Sequence, residues 1–325
     1  MKDKKKNIDA TEEESTKLSA TITATHFYHN IPSGSGIEEA PDGYYIIGDD
    51  SPFLYLFDKN YAPKAQYPLF DTAGFVNGRI PKPEKPDLES LATIAYKGKS
   101  YLLTLGSGSS EVRNKAFLVE LPLSAANPIV KEVSLKALFD TLQQDTTIVG
   151  EELLNVEGLA ISEEKVYLLQ RALKAAPNLV LTFDLNDFVA FLFENKALPE
   201  PGRHFFQLPS LQQHQAGFSG AYVLDDKLFF SASIESAPNA ILDGEVIGSY
   251  IGFIPLAALS EATSPTKPIV ATAAIVTDNK GKTYTGKIES LVVEKGKNAG
   301  NYKVIAISDD DQGHSELLEV EFIVK

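Results

Sequence analysis

Short apolar runs, alternating in polarity or rich in β-branched and aromatic residues, recur along nearly the whole chain between Gly, Pro, Asn and Asp punctuation. This pattern predicts an all-β protein. Residues 44–47, 53–57, 101–105, 166–169, 179–183, 228–230 and 302–307 are examples. Helical periodicity is confined to 135–142, which fits an amphipathic turn pair, and 188–193, which fits helix and strand equally.

A degenerate repeat organises these runs. Its five copies are Gly36-Ile37-Glu38-Glu39-Ala40, Leu88-Glu89-Ser90-Leu91-Ala92, Val156-Glu157-Gly158-Leu159-Ala160, Phe218-Ser219-Gly220-Ala221 and Ile288-Glu289-Ser290-Leu291-Val292. With Glu38, Glu89, Glu157, Ser219 and Glu289 as markers, the spacings are 51, 68, 62 and 70 residues, enough for one four-stranded sheet and its loops. Sheets of this kind around an axis make a β-propeller, here of five blades, with six as the alternative count. The last repeat, 289–325, has room for three strands. The Thr-rich run 18–28 is expected to supply its outer strand and close the ring, which removes two open sheet edges. The expected organisation is a polar tail over 1–16 and a single propeller domain over 17–325.

First strands of propeller blades line the central channel, so the markers are expected to converge there. Two carboxylates about 6 Å apart at an effective dielectric near 20 repel by about 3 kcal/mol. Glu89, Glu157 and Glu289 make three such pairs, a load comparable with a domain's net stability of about 5 to 15 kcal/mol. Partial protonation, channel water or a bound cation would each offset it. The chain has no Cys and no clustered His, so the donors are oxygens, and irregular coordination by carboxylates, a hydroxyl and carbonyls suits calcium better than magnesium.

Charge narrows the partners. Thirty Lys plus Arg against 44 Asp plus Glu leave a formal charge of −14, which opposes binding to nucleic acid. No apolar run reaches membrane-spanning length, and the lysines at 2–6 precede a polar stretch rather than an apolar signal core. The charged opening fits the trimmed tether of an exported protein or a cytosolic tail, and the first is the preferred expectation. The chain is expected to be a monomer whose partner is a small molecule, a sugar or a peptide.

In the order of its segments the chain resembles the calcium-activated nucleotidases, or apyrases, which are five-bladed propellers with one axial calcium. The resemblance implies metal ligands at Glu89, Glu157, Ser219 and Glu289, with a first-blade backbone carbonyl at Gly36. Ala216-Gly217-Phe218-Ser219-Gly220 resembles the Ser-bearing strand of that family. Glu38 is an additional carboxylate outside the family set.

Catalytic groups of that family sit on loops at one mouth of the channel. Gly48-Asp49-Asp50-Ser51 resembles its paired Asp, although Pro52-Phe53 follows where the family has Arg-Thr-Gly. Leu169-Gln170-Arg171-Ala172 resembles an Arg-Arg-Ala loop with Gln170 replacing one Arg, and Ser233-Ile234-Glu235-Ser236 takes the place of an acidic loop. The resemblance implies Asp49, Asp50, Arg171 and Glu235 as candidate catalytic residues. Arg113, after the Gly106-Ser107-Gly108-Ser109-Ser110 loop, and Asp309 and Asp310 in Ser308-Asp309-Asp310-Asp311 are candidate ligand contacts. For each Arg the plain alternative is a carboxylate partner on a neighbouring blade. For each Asp pair it is a turn fixed by its own side chain. The five His residues show no ligand spacing, and the Pro-rich 81–86 reads as an extended connector.

Two functions remain open: a calcium-centred propeller binding a ligand at its mouth, and a calcium-dependent hydrolase of phosphoanhydrides or phosphoesters.

Overall fold

Alternating polarity places one side of each strand against a neighbouring sheet, and the strands follow that pattern. The computed structural model describes residues 17–71, 75, 79–123, 128–172, 177–235, 245–310 and 312–325. Strand β1 (Leu18–Tyr28) comes first. An antiparallel meander of β2 (Gly34–Ala40), β3 (Gly43–Gly48), β4 (Phe53–Asp58) and β5 (Pro63–Pro68) follows, then a second of β6 (Leu88–Tyr96), β7 (Lys99–Gly106), β8 (Lys115–Leu121) and β9 (Val130–Ser134). Helices α1 (Lys136–Gln144) and α2 (Thr146–Val149) connect to a third sheet of β10 (Val156–Ile161), β11 (Lys165–Gln170), β12 (Asn178–Asp184) and β13 (Gly202–Gln207), with α3 (Leu185–Glu194) between its last two strands.

A small hairpin, β14 (Ser210–Leu211) and β15 (His214–Gln215), precedes the fourth meander. That meander is β16 (Gly217–Leu224), β17 (Lys227–Glu235), β18 (Val246–Pro255) and β20 (Ala273–Thr277), while β19 (Ile269–Val270) extends the third sheet beside β13. The last is β21 (Lys287–Lys295), β22 (Asn301–Asp309) and β23 (Ser315–Val324), completed by β1, which runs antiparallel to β23 along its whole length. Two residue pairs of β1, Ala20 with Val276 and Thr21 with Thr277, also pair with β20 in parallel, joining the outer edges of the fourth and fifth meanders.

The inner strands β2, β6, β10, β16 and β21 pack side by side in a closed cycle, β21 returning to β2. Apolar cores fill the spaces between consecutive sheets. Ile37, Tyr44, Phe57, Val292 and Ile305 fill the space between the last and first sheets; Ala160, Phe206, Phe218 and Phe230 fill that between the third and fourth. The protein is an all-β propeller closed by its N-terminal strand. The 135–142 pattern is α1, burying Leu138, Phe139 and Leu142. The ambiguous 188–193 segment is part of α3, because Asp184 caps the Asn186 and Asp187 amides and Phe188, Phe191 and Leu192 turn inward.

Candidate cation site at the channel mouth

Each inner strand slips register once against its neighbour, between Gly34 and Gly36, Leu88 and Ser90, Val156 and Gly158, Phe218 and Gly220, and Ile288 and Ser290. The extra residues are Ser35, Glu89, Glu157, Ser219 and Glu289. A bulge re-aims its side chain and ends regular pairing, and here it recurs at the repeat's marker. A Gly or Ser follows every bulge because the next blade's backbone lies close. At Gly220 a Cβ would stand 2.6 Å from Ser290 Cα and 2.7 Å from the Glu289 carbonyl oxygen.

One assignment is corrected by this geometry. The first-blade marker is Ser35, not Glu38, since Gly34-Ser35-Gly36-Ile37 aligns with Phe218-Ser219-Gly220-Ala221 at the bulge. Gly36 is the small residue after the bulge. Glu38 lies three positions further along β2, where it accepts a 3.4 Å hydrogen bond from Thr93 Oγ1. Burial, with Glu39 adding its charge, pushes the Glu38 carboxyl up to about 8.

Glu89, Glu157 and Glu289 each offer a carboxylate oxygen, and these atoms lie within 4.8 Å of one another. The three residues are 9%, 6% and 5% exposed. Ser219 Oγ donates to the Ile288 carbonyl at 2.6 Å, and Ser35 Oγ donates to the Leu88 carbonyl. Each hydroxyl thus holds the residue just before the next blade's Glu. Glu157 Oε1 accepts from Asn155 Nδ2 at 2.6 Å, and Glu289 Oε1 sits 2.8 Å from Lys287 Nζ. The second oxygen of each, Oε2, is buried with no hydrogen-bond partner. Among the described residues no hydrogen bond or ion pair reaches the Glu89 carboxylate. Burial, and then the charges of Asp87, Glu157, Asp49 and Glu289, push Glu89 well above the usual carboxylate range. Burial also raises Glu289 to about 8 against the pull of Lys287, with Glu157 adding to the rise.

A second acidic group shares Glu89. Oxygens of Asp49, Asp87 and Glu89 lie within 4.8 Å of one another, and Lys85 Nζ stands 2.5 Å from Asp49 Oδ2 and 2.9 Å from Asp87 Oδ1. Arg113 Nη1 reaches Asp87 Oδ2 at 2.6 Å and donates to Ser109 Oγ at 2.7 Å. Despite burial, Lys85 and Arg113 hold the Asp87 carboxyl below the usual range. Burial raises Asp49 to about 6, opposed by Lys85.

Across the channel Arg171 Nη2 binds Glu235 Oε1 at 2.7 Å while Nη1 lies 3.7 Å from Glu157 Oε2, and Lys287 Nζ lies 3.3 Å from Glu235. Arg171 is 4% exposed, its stem passing over Gly217, where a Cβ would meet Arg171 Cγ at 2.7 Å. Against burial, Arg171 and Lys287 pull the Glu235 carboxyl down to about 2.

The structure thus gathers Asp49, Asp50, Arg113, Arg171, Glu235 and Asp309 at the mouth with the axial residues, but both Arg residues are engaged by carboxylates. Arg79 Nε donates to Asp50 Oδ2 at 2.6 Å. A cavity of about 310 Å³ is lined by Ser33, Asp49, Asp50, Arg79, Lys85 and Asp309, among others. Asp310 is not in its wall. It accepts from the Gln312 and His314 amides at 2.8 and 3.0 Å and pairs with His314 Nδ1 at 2.7 Å, so it fixes the loop. Ser236 and Asp311 lie outside the described residues. Lys85, Asp87, Asn155 and Lys287 are mouth residues that the repeat pattern passed over. Three of them, Asp87, Asn155 and Lys287, stand two positions before a marker Glu, and that offset was their signal.

The fold and this mouth define a β-propeller with an acidic, all-oxygen channel site. Residues 30–322 match the model of DUF6929, a family of unknown function, and the chain belongs to that family. A search of curated proteins gave no match. Among solved structures the chain is similar to an exo-1,5-alpha-L-arabinanase from a bovine ruminal metagenomic library, with 9% identity over 93% of this chain and 97% of that chain and a TM-score of 0.46. It is also similar to Drosophila Semaphorin 1b extracellular domains 1–2 (10% identity, 94% and 80% coverage, TM-score 0.47) and to RS223 beta-xylosidase (10%, 93% and 94%, 0.46). At these identities the likeness concerns the fold alone. Among the described residues no helix is long and apolar enough to cross a membrane.

The raised carboxyls give a pH dependence of defined sign. With Glu289 at about 8 when folded and near the ordinary value when unfolded, the native state holds a proton the unfolded chain has released. Its stabilising contribution is complete below the unfolded value and is lost as pH rises through about 8; Glu89 shifts in the same direction. Chelator-treated protein is therefore expected to melt lower at pH 8 than at pH 5.5, on the order of 5 °C by thermal unfolding. A flat or rising profile would contradict it.

Proposed function

We propose that the protein is a calcium-centred, five-bladed propeller that binds a small or extended ligand at its channel mouth. The observation that carries this reading is Glu89, a carboxylate 9% exposed with no hydrogen bond or ion pair among the described residues, meeting two further carboxylates whose Oε2 atoms lack a hydrogen-bond partner. A buried charge in that position calls for a cation or a proton. In the cluster around Glu89, the carboxylates Asp49, Asp87, Glu89, Glu157, Glu235 and Glu289 outnumber the cations Lys85, Arg113, Arg171 and Lys287. Glu89, Glu157 and Glu289 would hold it, with Ser219 and a β2 carbonyl at Gly36 completing an oxygen set suited to calcium. When bound, the ion would supply a fixed divalent charge beneath the mouth cavity.

The ligand class follows from the cavity wall. Asp49, Asp50 and Asp309 line the wall, and an acidic wall suits hydroxyl or amine donors of a sugar or a peptide. Phosphoanhydride or phosphoester hydrolysis is the second reading, favoured by the order Glu89, Glu157, Ser219, Glu289 and by the Asp49-Asp50 loop. It finds Arg171 and Arg113 already bound to carboxylates.

Isothermal titration of calcium into chelator-stripped protein tests the proposal. One site is expected, releasing protons at pH 7, with affinity lowered at least about tenfold by Glu89→Gln. Wild-type protein that takes up no calcium at millimolar concentration would overturn it. Phosphate release from a nucleoside diphosphate, lost in Arg171→Ala, would favour the second reading.

A further inference from the structure

We infer that the mouth holds two cation positions sharing Glu89, and that the second, between Asp49, Asp87 and Glu89, is filled by the chain's own Lys85 ammonium. The inference rests on the axial-calcium reading and extends it to the number of ions the protein takes.

Both acidic triads bring their oxygens within 4.8 Å, the spacing a divalent ion requires, and Glu89 belongs to each while making no hydrogen bond or ion pair among the described residues. The axial triad has no ammonium between all its members, since Lys287 contacts Glu289 from the Glu235 side. In the second triad an ammonium touches two of the three members, and its charge also acts on the third, Glu89. Lys85 Nζ touches Asp49 Oδ2 at 2.5 Å and Asp87 Oδ1 at 2.9 Å, and its side chain is 14% exposed.

The backbone delivers this lysine deliberately. Lys85 N donates to the Pro81 carbonyl at 3.0 Å, Pro86 fixes its own φ and restricts Lys85 before it, and Asp87 sits at φ 57°, a left-handed conformation costly for a non-Gly residue. That turn brings Lys85 and Asp87 to the same point. The connector at 81–86 is thus not a mere spacer: it carries the counter-charge for the second triad.

An ammonium neutralises one charge without demanding six to eight oxygens, whereas a second divalent ion would stand close to the first and be repelled by it. With Lys85 in place the chain takes one divalent ion. With Lys85 made neutral, three carboxylates are left with the charge and spacing of an open calcium position.

Calcium stoichiometry separates the cases. Titration is expected to give one ion in wild type, one in Lys85→Arg, and two in Lys85→Met. One ion in a folded Lys85→Met, or two in wild type, would overturn the inference and leave the axial site standing. No ion in wild type would remove the axial reading and this one with it. If Lys85→Met does not fold, Asp87→Asn is measured with Lys85 retained: an axial affinity within about threefold of wild type supports the inference, and a loss beyond about tenfold means Asp87 ligates the ion directly and overturns it.

Discussion

Removing calcium with a chelator is expected to lower the thermal midpoint on the order of 5 to 10 °C, and Glu157→Gln is expected to erase the difference between calcium-loaded and stripped protein. A ligand that binds only the native state at a thousandfold excess over Kd adds about 4 kcal/mol, and a domain of this size gains about 2 °C or slightly less per kcal/mol. Glu157 is the discriminating position. It is 6% exposed, and its Oε2 lacks a hydrogen-bond partner although Oε1 is held by Asn155. Replacing that oxygen by an amide removes a ligand charge while keeping the shape, so the variant without calcium should fold normally. Differential scanning calorimetry with and without chelator reads both arms. A variant that keeps the full calcium increment would mean that Glu157 is not a ligand.

Arg171→Ala is expected to cost about 3 to 5 kcal/mol of stability, the range for breaking a buried ion pair from one side. Arg171 lies between Glu235 at 2.7 Å and Glu157 at 3.7 Å, joining a third-blade loop to the fourth blade. Its loss leaves Glu235 with Lys287 alone and deepens the repulsion around Glu157. Arg171→Lys should recover only part of the loss, because an ammonium cannot reach both carboxylates with a planar fork. Urea unfolding with the wild-type m-value measures this. A nearly unchanged midpoint would mean instead that the guanidinium is spare and free to meet a ligand.

The ring was readable in the chain because every inner strand breaks its apolar pattern at one point, and Val156-Glu157-Gly158-Leu159 shows the break most clearly. The first blade misleads for a physical reason. Glu38-Glu39-Ala40 repeats the letters of the marker, while Ser35-Gly36-Ile37 repeats its bulge, and only strand register distinguishes them. The pairing of the mouth residues was less accessible. Arg171 and Glu235 are 64 positions apart on different blades, so no local spacing links them. Lys85 stands in a proline-rich stretch that reads as an extended connector, whereas the structure folds it into a turn in which the Glu84 and Lys85 amides donate to the Pro81 carbonyl, and the aim of the lysine also depends on the conformation of Asp87. Asp310 shows the reverse: an acidic run suggests a binding group, and the side chain is consumed by its own loop.

Pairing β1 with β23 sets the order of events in biosynthesis. Thr23 hydrogen-bonds to the Glu319 carbonyl, 296 positions away, so β1 must wait for β23 to be synthesised before it has its antiparallel partner. Lys17 and Lys325 exchange backbone hydrogen bonds at 3.0 and 2.9 Å, which puts the two sides of this seam within reach of a short peptide link. A circular permutant joined there and reopened between two other blades would relieve the wait without altering the channel. Its refolding rate, compared with the parent's, would report how much of the barrier to closing the ring lies in that one late strand.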